Sequence, residues 1–297
     1  MTDKYPNNTD QKRILQAFEA LTAGEDSEID LAQAALLIAS IGYHNLDRAQ
    51  SLTQLDVLAH RVRTVLALSD PKNTPYLPDD IEPLTVIGAL NKVLFEDEGF
   101  QGNRDDYYNP DNSFLNKVLE KHSGNPITLS LLYIEVGRRV GIQIEGIGFP
   151  YHFMVRHRWD EGIVYIDPFA GGTLLNEQDC EERLHQIAQH RVRLHAQWFE
   201  PITHKNMLIR MLNNLKRIYI DQEDYEHALS ICDLMVLLAA QNAGDRRDRG
   251  LIHLQLQHYG RAQHDLKAYL ELAPEAEDYD EIRNHLKTIR QTLAMLN

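Results

Sequence analysis

Apolar positions recur at three- and four-residue spacing from about residue 11 to residue 69, a pattern that predicts consecutive helices. Ile14, Phe18 and Leu21 make the first stripe, and Leu31, Ala34, Ala35 and Ile38 the second. Leu52, Leu55, Leu58, Val62 and Leu66 mark a third helix over roughly 47–69. A fourth, over 83–96, would turn Leu84, Ile87, Leu90 and Val93 inward. The stretch 70–83 between them has four prolines in fourteen residues and is a connection. Residues 11–96 read as helical support for whatever follows.

Residues 97–113 form a polar loop rich in Gly, Asn, Asp and Tyr, longer than most connections inside a compact unit. Asp111, Asn112 and Ser113 are expected to cap a short helix behind it. The next helix has the clearest boundaries in the chain. Ser123 and Asn125 are candidate N-caps, Pro126 suits the first turn, and Leu129, Leu132, Tyr133, Val136 and Val140 form its stripe. Arg138 and Arg139 complement the dipole at its last turn, and Gly141 ends it. The period then shortens to two, predicting strands over 142–148, 151–159 and 163–167. A two-residue turn at Asp160-Glu161 would pair Trp159 with Gly162. In that register His152 lies diagonal to Asp167 on one face, within reach of a hydrogen bond. A slip of one residue would part them.

Beyond about residue 201 the chain is helical and repeats itself. Tyr225 and Ala228 recur 34 residues on as Tyr259 and Ala262, and Val236 and Leu238 as Leu270 and Leu272. Pro274 closes the second copy. A helix–turn–helix period of this length, with small Ala and aromatic Tyr at fixed places, is the tetratricopeptide signature. Two repeats span about 206–275, and 278–296 would serve as a cap helix. A scaffold and a peptide-binding groove are both consistent with it.

Composition narrows the function. A formal net charge of −14 argues against a sequence-independent nucleic-acid binder. No apolar run approaches the ~20 residues of a membrane span, and the first residues lack a signal-peptide pattern, so the expected setting is cytoplasmic. The two cysteines, Cys180 and Cys232, suggest neither a disulfide framework nor a zinc site. His185, His190 and His195 are five residues apart, which rotates each by about 140° around a helix and away from a shared metal. No cofactor is implied.

A helix followed by strands carrying His and then Asp is the order that a papain-like site requires. The nucleophile would sit at the helix N-terminus, His152 would act as base and Asp167 would orient it. Gly124-Asn125-Pro126, the helix ending Arg-Arg-Val-Gly-Ile, and then FPYHFMVR and YIDPF resemble the transglutaminase core. They are more closely similar to the bacterial SirB-type transglutaminase-like proteins, in which tetratricopeptide repeats follow that core. The resemblance covers roughly 30–275. It implies an α+β, mostly helical fold, with a papain/transglutaminase-like core and a small antiparallel sheet, followed by a tetratricopeptide-like unit. The expected division is 1–205, with the core at about 75–200, and 206–297.

In catalytic members of the transglutaminase family the helix begins Gly-x-Cys, and here Pro126 stands at the cysteine's place. A prolyl side chain cannot form a thioester. Cys180 and Cys232 lie too far along the chain to replace it, and Ser123, Thr128 and Ser130 are the nearby hydroxyls. His152 and Asp167 then read as a residual dyad, flanked by Asn125 and Tyr151 as pocket residues. The expectation is a pseudoenzyme with a regulatory or interaction role that binds a protein or peptide through its C-terminal repeats. A different class stays open: a hydrolase or transferase on peptide or amide bonds, using His152, Asp167 and an unrecognised nucleophile.

Overall fold

The computed structural model describes residues 8–68, 77–78, 80–150, 152–189 and 195–296. The chain divides into two compact units, one of Glu25–Ala39 and Asn45–Met211, the other of Met1–Gly24, Ser40–His44 and Leu212–Asn297. Helices α1 (Asn8–Thr22), α2 (Leu31–Gly42), α3 (Arg48–Val65) and α4 (Pro83–Asn91) come first. The fourth is shorter than its apolar period predicts, because the chain continues as a π-helical turn over Lys92–Asp97. Leu84, expected inward, is 49% exposed: at the second position of α4 it precedes the part of the helix that is buried. The proline-rich connection lies largely outside the described residues.

The core of the first unit is α6 (Pro126–Val140), which is buried almost all round, not only on one stripe. Its ends follow the rules of helix capping. The side chain of Asn125 accepts from the Thr128 N–H, Pro126 occupies the first turn, and Gly141 adopts φ 109° at the C-cap. The Arg63 guanidinium, itself buried on α3, donates to the Val140 carbonyl and so satisfies one of the last acceptors of α6. Before α6 come β1 (Gln101–Gly102), α5 (Leu115–Lys121) and β2 (Ser123–Gly124). β1 and β2 form a two-residue parallel pair that the sequence did not announce. Ser123 belongs to β2, so Asn125 alone caps α6. Asp111, Asn112 and Ser113 lie in the 3-10 turn Pro110–Ser113, and no side chain caps α5.

After α6 the chain makes an antiparallel sheet in sequential order, β3 (Glu145–Ile147), β4 (Met154–Trp159), β5 (Gly162–Asp167) and β6 (Thr173–Leu175). β4 starts three residues later than its alternation predicts, and β6 carries no clear alternation at all. The β4–β5 register pairs Trp159 with Gly162 and Val155 with Ile166, as the two-residue turn requires. One face of the sheet meets α7 (Glu177–Ala188) in an apolar cluster of Ile147, Phe149, Met154, Tyr165, Cys180 and Leu184.

The second unit contains α8 (His204–Asp221), which begins in the first, then α9 (Tyr225–Leu238), α10 (Ala243–Gln255), α11 (Tyr259–Leu272) and α12 (Tyr279–Leu296). α9 with α11 and the intervening turns reproduce the 34-residue period, and Ala228 and Ala262 are both fully buried where neighbouring helices touch. Arg249 on α10 reaches Asp233 on α9 at 3.0 Å and Asp265 on α11 at 2.7 Å, which ties three successive helices through one guanidinium. α12 closes the array with Ile282, Leu286 and Ile289 inward. α1 belongs to this unit and packs on α9, with Gln11 donating to Ser230 at 3.2 Å.

Candidate active site

Asp167 is the last residue of β5, and its carboxylate is 1% exposed. Burial of a carboxylate needs compensation, and four donors supply it. Oδ1 accepts the backbone N–H groups of Phe169 at 3.1 Å and Ala170 at 3.2 Å, capping the 3-10 turn Pro168–Ala170. Oδ2 accepts from His152 Nε2 at 3.0 Å and pairs with Arg183 Nε at 3.3 Å. The histidine and the aspartate meet as the hairpin register predicts, although His152 lies in the loop two residues before β4 and not within a strand. Arg183, on α7, is the partner that sequence reasoning missed. It lies in an ordinary helical pattern, and only the fold of α7 back onto the sheet brings it to Asp167.

With Nε2 carrying the proton toward Asp167, Nδ1 of His152 is an acceptor, and it has no partner among the described residues. The ring meets Phe169 edge to face, centroids 6.0 Å apart. Phe169 in turn rests on Gly102, where a Cβ would come within 2.6 Å of the Phe169 carbonyl oxygen. Gly102 pairs with Gly124, two residues before Pro126. This succession of contacts links the start of α6 to the histidine.

A buried polar network holds the approach to α6. Asn125 Nδ2 donates to Ser113 Oγ at 2.8 Å, while its Oδ1 accepts from both the N–H and the hydroxyl of Thr128 at 3.0 Å. The Asn125 N–H donates to the Asn112 carbonyl, and Asn112 Nδ2 donates to the carbonyls of Asp106 and Tyr107. Asn103 completes the net by donating to Asn112 Oδ1. The long polar loop is therefore a built wall, and its asparagines are the residues that fix it.

Of the three hydroxyls near Pro126, Thr128 and Ser130 are engaged or enclosed, while Ser123, in β2, is half-buried. Thr128 serves Asn125, and Ser130 is fully buried with no partner for its Oγ among the described residues. Both thiols are unsuited to attack. Burial pushes the Cys180 and Cys232 thiols up to about 12, with nearby carboxylates such as Asp179 adding to the effect at Cys180. Tyr151 lies outside the described residues, as does His190. Among the described residues no group of three His, Cys, Asp or Glu side chains is placed to hold a metal ion, and no helix is long and apolar enough to cross a membrane.

Comparison with known proteins decides the lineage. The profile of the transglutaminase-like superfamily matches residues 49–213, more than half of the chain. The chain belongs to that superfamily. A tetratricopeptide repeat profile matches residues 215–287 of the same chain. A UPF0162 protein of Xylella fastidiosa is 35% identical over 283 residues, covering 93% of this chain and 95% of that one. Protein SirB1 of Salmonella typhimurium is 25% identical over 240 residues, covering 75% and 89%. Human F-box only protein 21 is 37% identical over 151 residues, which is 46% of this chain and 23% of that protein. Together the two profiles and these relatives make this a bacterial SirB-type transglutaminase-like protein, with tetratricopeptide repeats after the transglutaminase-like core. That combination fits a regulatory or interaction role.

Proposed function

We propose that the protein is a non-catalytic member of its superfamily that works by binding a protein partner, with the repeats as the principal contact surface. The observation that carries this reading is Pro126. It stands at the first position of α6, where the resemblance to catalytic members implies the nucleophilic cysteine. The surroundings support it, since neither thiol is poised to ionise and Thr128 is committed to its cap. In this reading the His152–Asp167 pair persists as a structural link, because Asp167 also anchors the turn after β5 and the α7 arginine. A cytoplasmic setting fits two free thiols.

The competing reading, an amide hydrolase or transferase, is favoured by one observation: the His–Asp distance of 3.0 Å is that of a working base and its orienting acid. Treatment of the full chain with an electrophilic acyl-transfer probe, followed by mass spectrometry of every Ser, Thr and Cys peptide, separates the two. We expect no adduct. A single adduct that disappears in His152→Ala would establish the enzyme reading instead.

A further inference from the structure

An aromatic row runs from the exposed tyrosines of the polar loop, through half-buried Phe169, to buried His152. Tyr107 and Tyr108 are 39% and 59% exposed and meet edge to face at 5.3 Å. Tyr107 meets Phe169 at 6.1 Å, and Phe169 meets His152 at 6.0 Å. Over the Phe169 ring, 5.4 Å from its centroid, lies the guanidinium of Arg104, with no carboxylate paired to it among the described residues. The asparagine network beneath holds this arrangement in place before any ligand arrives.

Three features define what would fit. Ring-to-ring steps near 6 Å approach the spacing of alternate side chains on an extended peptide, about 6.5–7 Å. A planar guanidinium laid on an aromatic face keeps its donor edge free for the two oxygens of a carboxylate. At the far end, with Nε2 protonated toward Asp167, Nδ1 of His152 offers an acceptor without a partner among the described residues. One guanidinium matches a single carboxylate and is too little for a polyphosphate backbone, which needs several cationic contacts, so the row points to a protein segment carrying one carboxylate.

We propose that the row binds an extended peptide segment that sets a carboxylate on Arg104 and, two residues along, an aromatic or proline ring against Tyr107, with a backbone N–H donated to His152 Nδ1. The proposal rests on the non-catalytic reading of the site, because it requires no bond to break. It gives the transglutaminase-like core a recognition role of its own, separate from that of the repeats.

The test uses the full-length protein and fluorescein-labelled hexapeptides carrying Glu or Gln at one position and Tyr or Ala two residues on, read by fluorescence anisotropy. The Glu/Tyr peptide should bind, and either replacement should weaken it by roughly fivefold to tenfold. Arg104→Glu should remove the preference for Glu and transfer it to a Lys peptide. The exposure of Arg104 predicts an unchanged melting temperature for that variant, which would confirm that the fold is intact. Equal binding of the Glu and Gln peptides, or no binding of either, would overturn the proposal, as would tighter binding of labelled oligouridylate that Arg104→Glu abolishes. Cleavage of a bound peptide would overturn the non-catalytic reading while leaving the recognition motif standing as substrate preference.

Discussion

Arg183 Nε lies 3.3 Å from the same Asp167 oxygen that accepts from His152 at 3.0 Å. One carboxylate thus joins the end of β5, the loop before β4 and the helix α7.

Removing that carboxylate should therefore cost stability first. Asp167→Ala strips partners from two buried backbone N–H groups, a histidine and an arginine, a loss of about 3 kcal/mol. For a unit of this size that is a fall in Tm of roughly 6–12 °C. Asp167→Asn retains an acceptor for the turn and should lose about half as much. Differential scanning calorimetry of the three proteins checks the order, and an Asp167→Ala melting temperature equal to the wild type would contradict it.

The contact of Gly102 with Phe169 makes a second expectation. A methyl group there meets a carbonyl oxygen that has nowhere to move without disturbing the Asp167 turn. Gly102→Ala should destabilise by about 1–3 kcal/mol, in the range of overpacked cores, and should shift the urea midpoint without changing the slope. Gly88, where an added Cβ would meet nothing within 4 Å beyond its own helix backbone, is the control expected to tolerate alanine.

The two thiols should resist iodoacetamide in the native protein at pH 8 and react only on unfolding. Burial raises each from the usual 9 to about 12, so the native state keeps both protons while the unfolded chain releases them. Their contribution to stability is whole below pH 9 and is lost as pH climbs from 9 to 12. Native alkylation of Cys180 at pH 8, detected by intact mass, would contradict its enclosed position.

His253 makes the opposite pH dependence in the repeats. Burial holds its imidazole down to about 4, and its Nδ1 faces that of His258 at 3.3 Å, with Arg249 and Asp265 close by. Between pH 6.5 and 4 the unfolded chain takes up a proton that the folded chain refuses, so stability falls with acidification. His253→Gln should flatten the fall between pH 7 and pH 5 in thermal unfolding; an identical slope in both proteins would assign the effect to other groups.

How far the sequence reads depends on how local the cause is. Asn125, Pro126 and Gly141 mark the ends of α6 because capping acts within a few residues, and the structure places the helix between them. The Asp160-Glu161 turn sets the β4–β5 register for the same reason, and with it the closeness of His152 and Asp167. Arg183 is legible only after α7 has folded back onto the sheet, since nothing in its own neighbourhood distinguishes it. The two-residue pairing of Gly102 with Gly124 is too short to leave a pattern. Leu84 fits the apolar stripe and is still exposed, because a period gives an angular position and not the depth at which a helix starts to be covered.

The bond from Gln11 to Ser230 has a consequence in time. The two residues are 219 positions apart, and at about 5–20 residues per second a ribosome needs roughly ten to forty-five seconds to go from one to the other. Throughout that interval α1, with Phe18 on its apolar side, has been made but its partner helix has not. Helix α1 must therefore wait for α9 to be made before the contact that covers it can form.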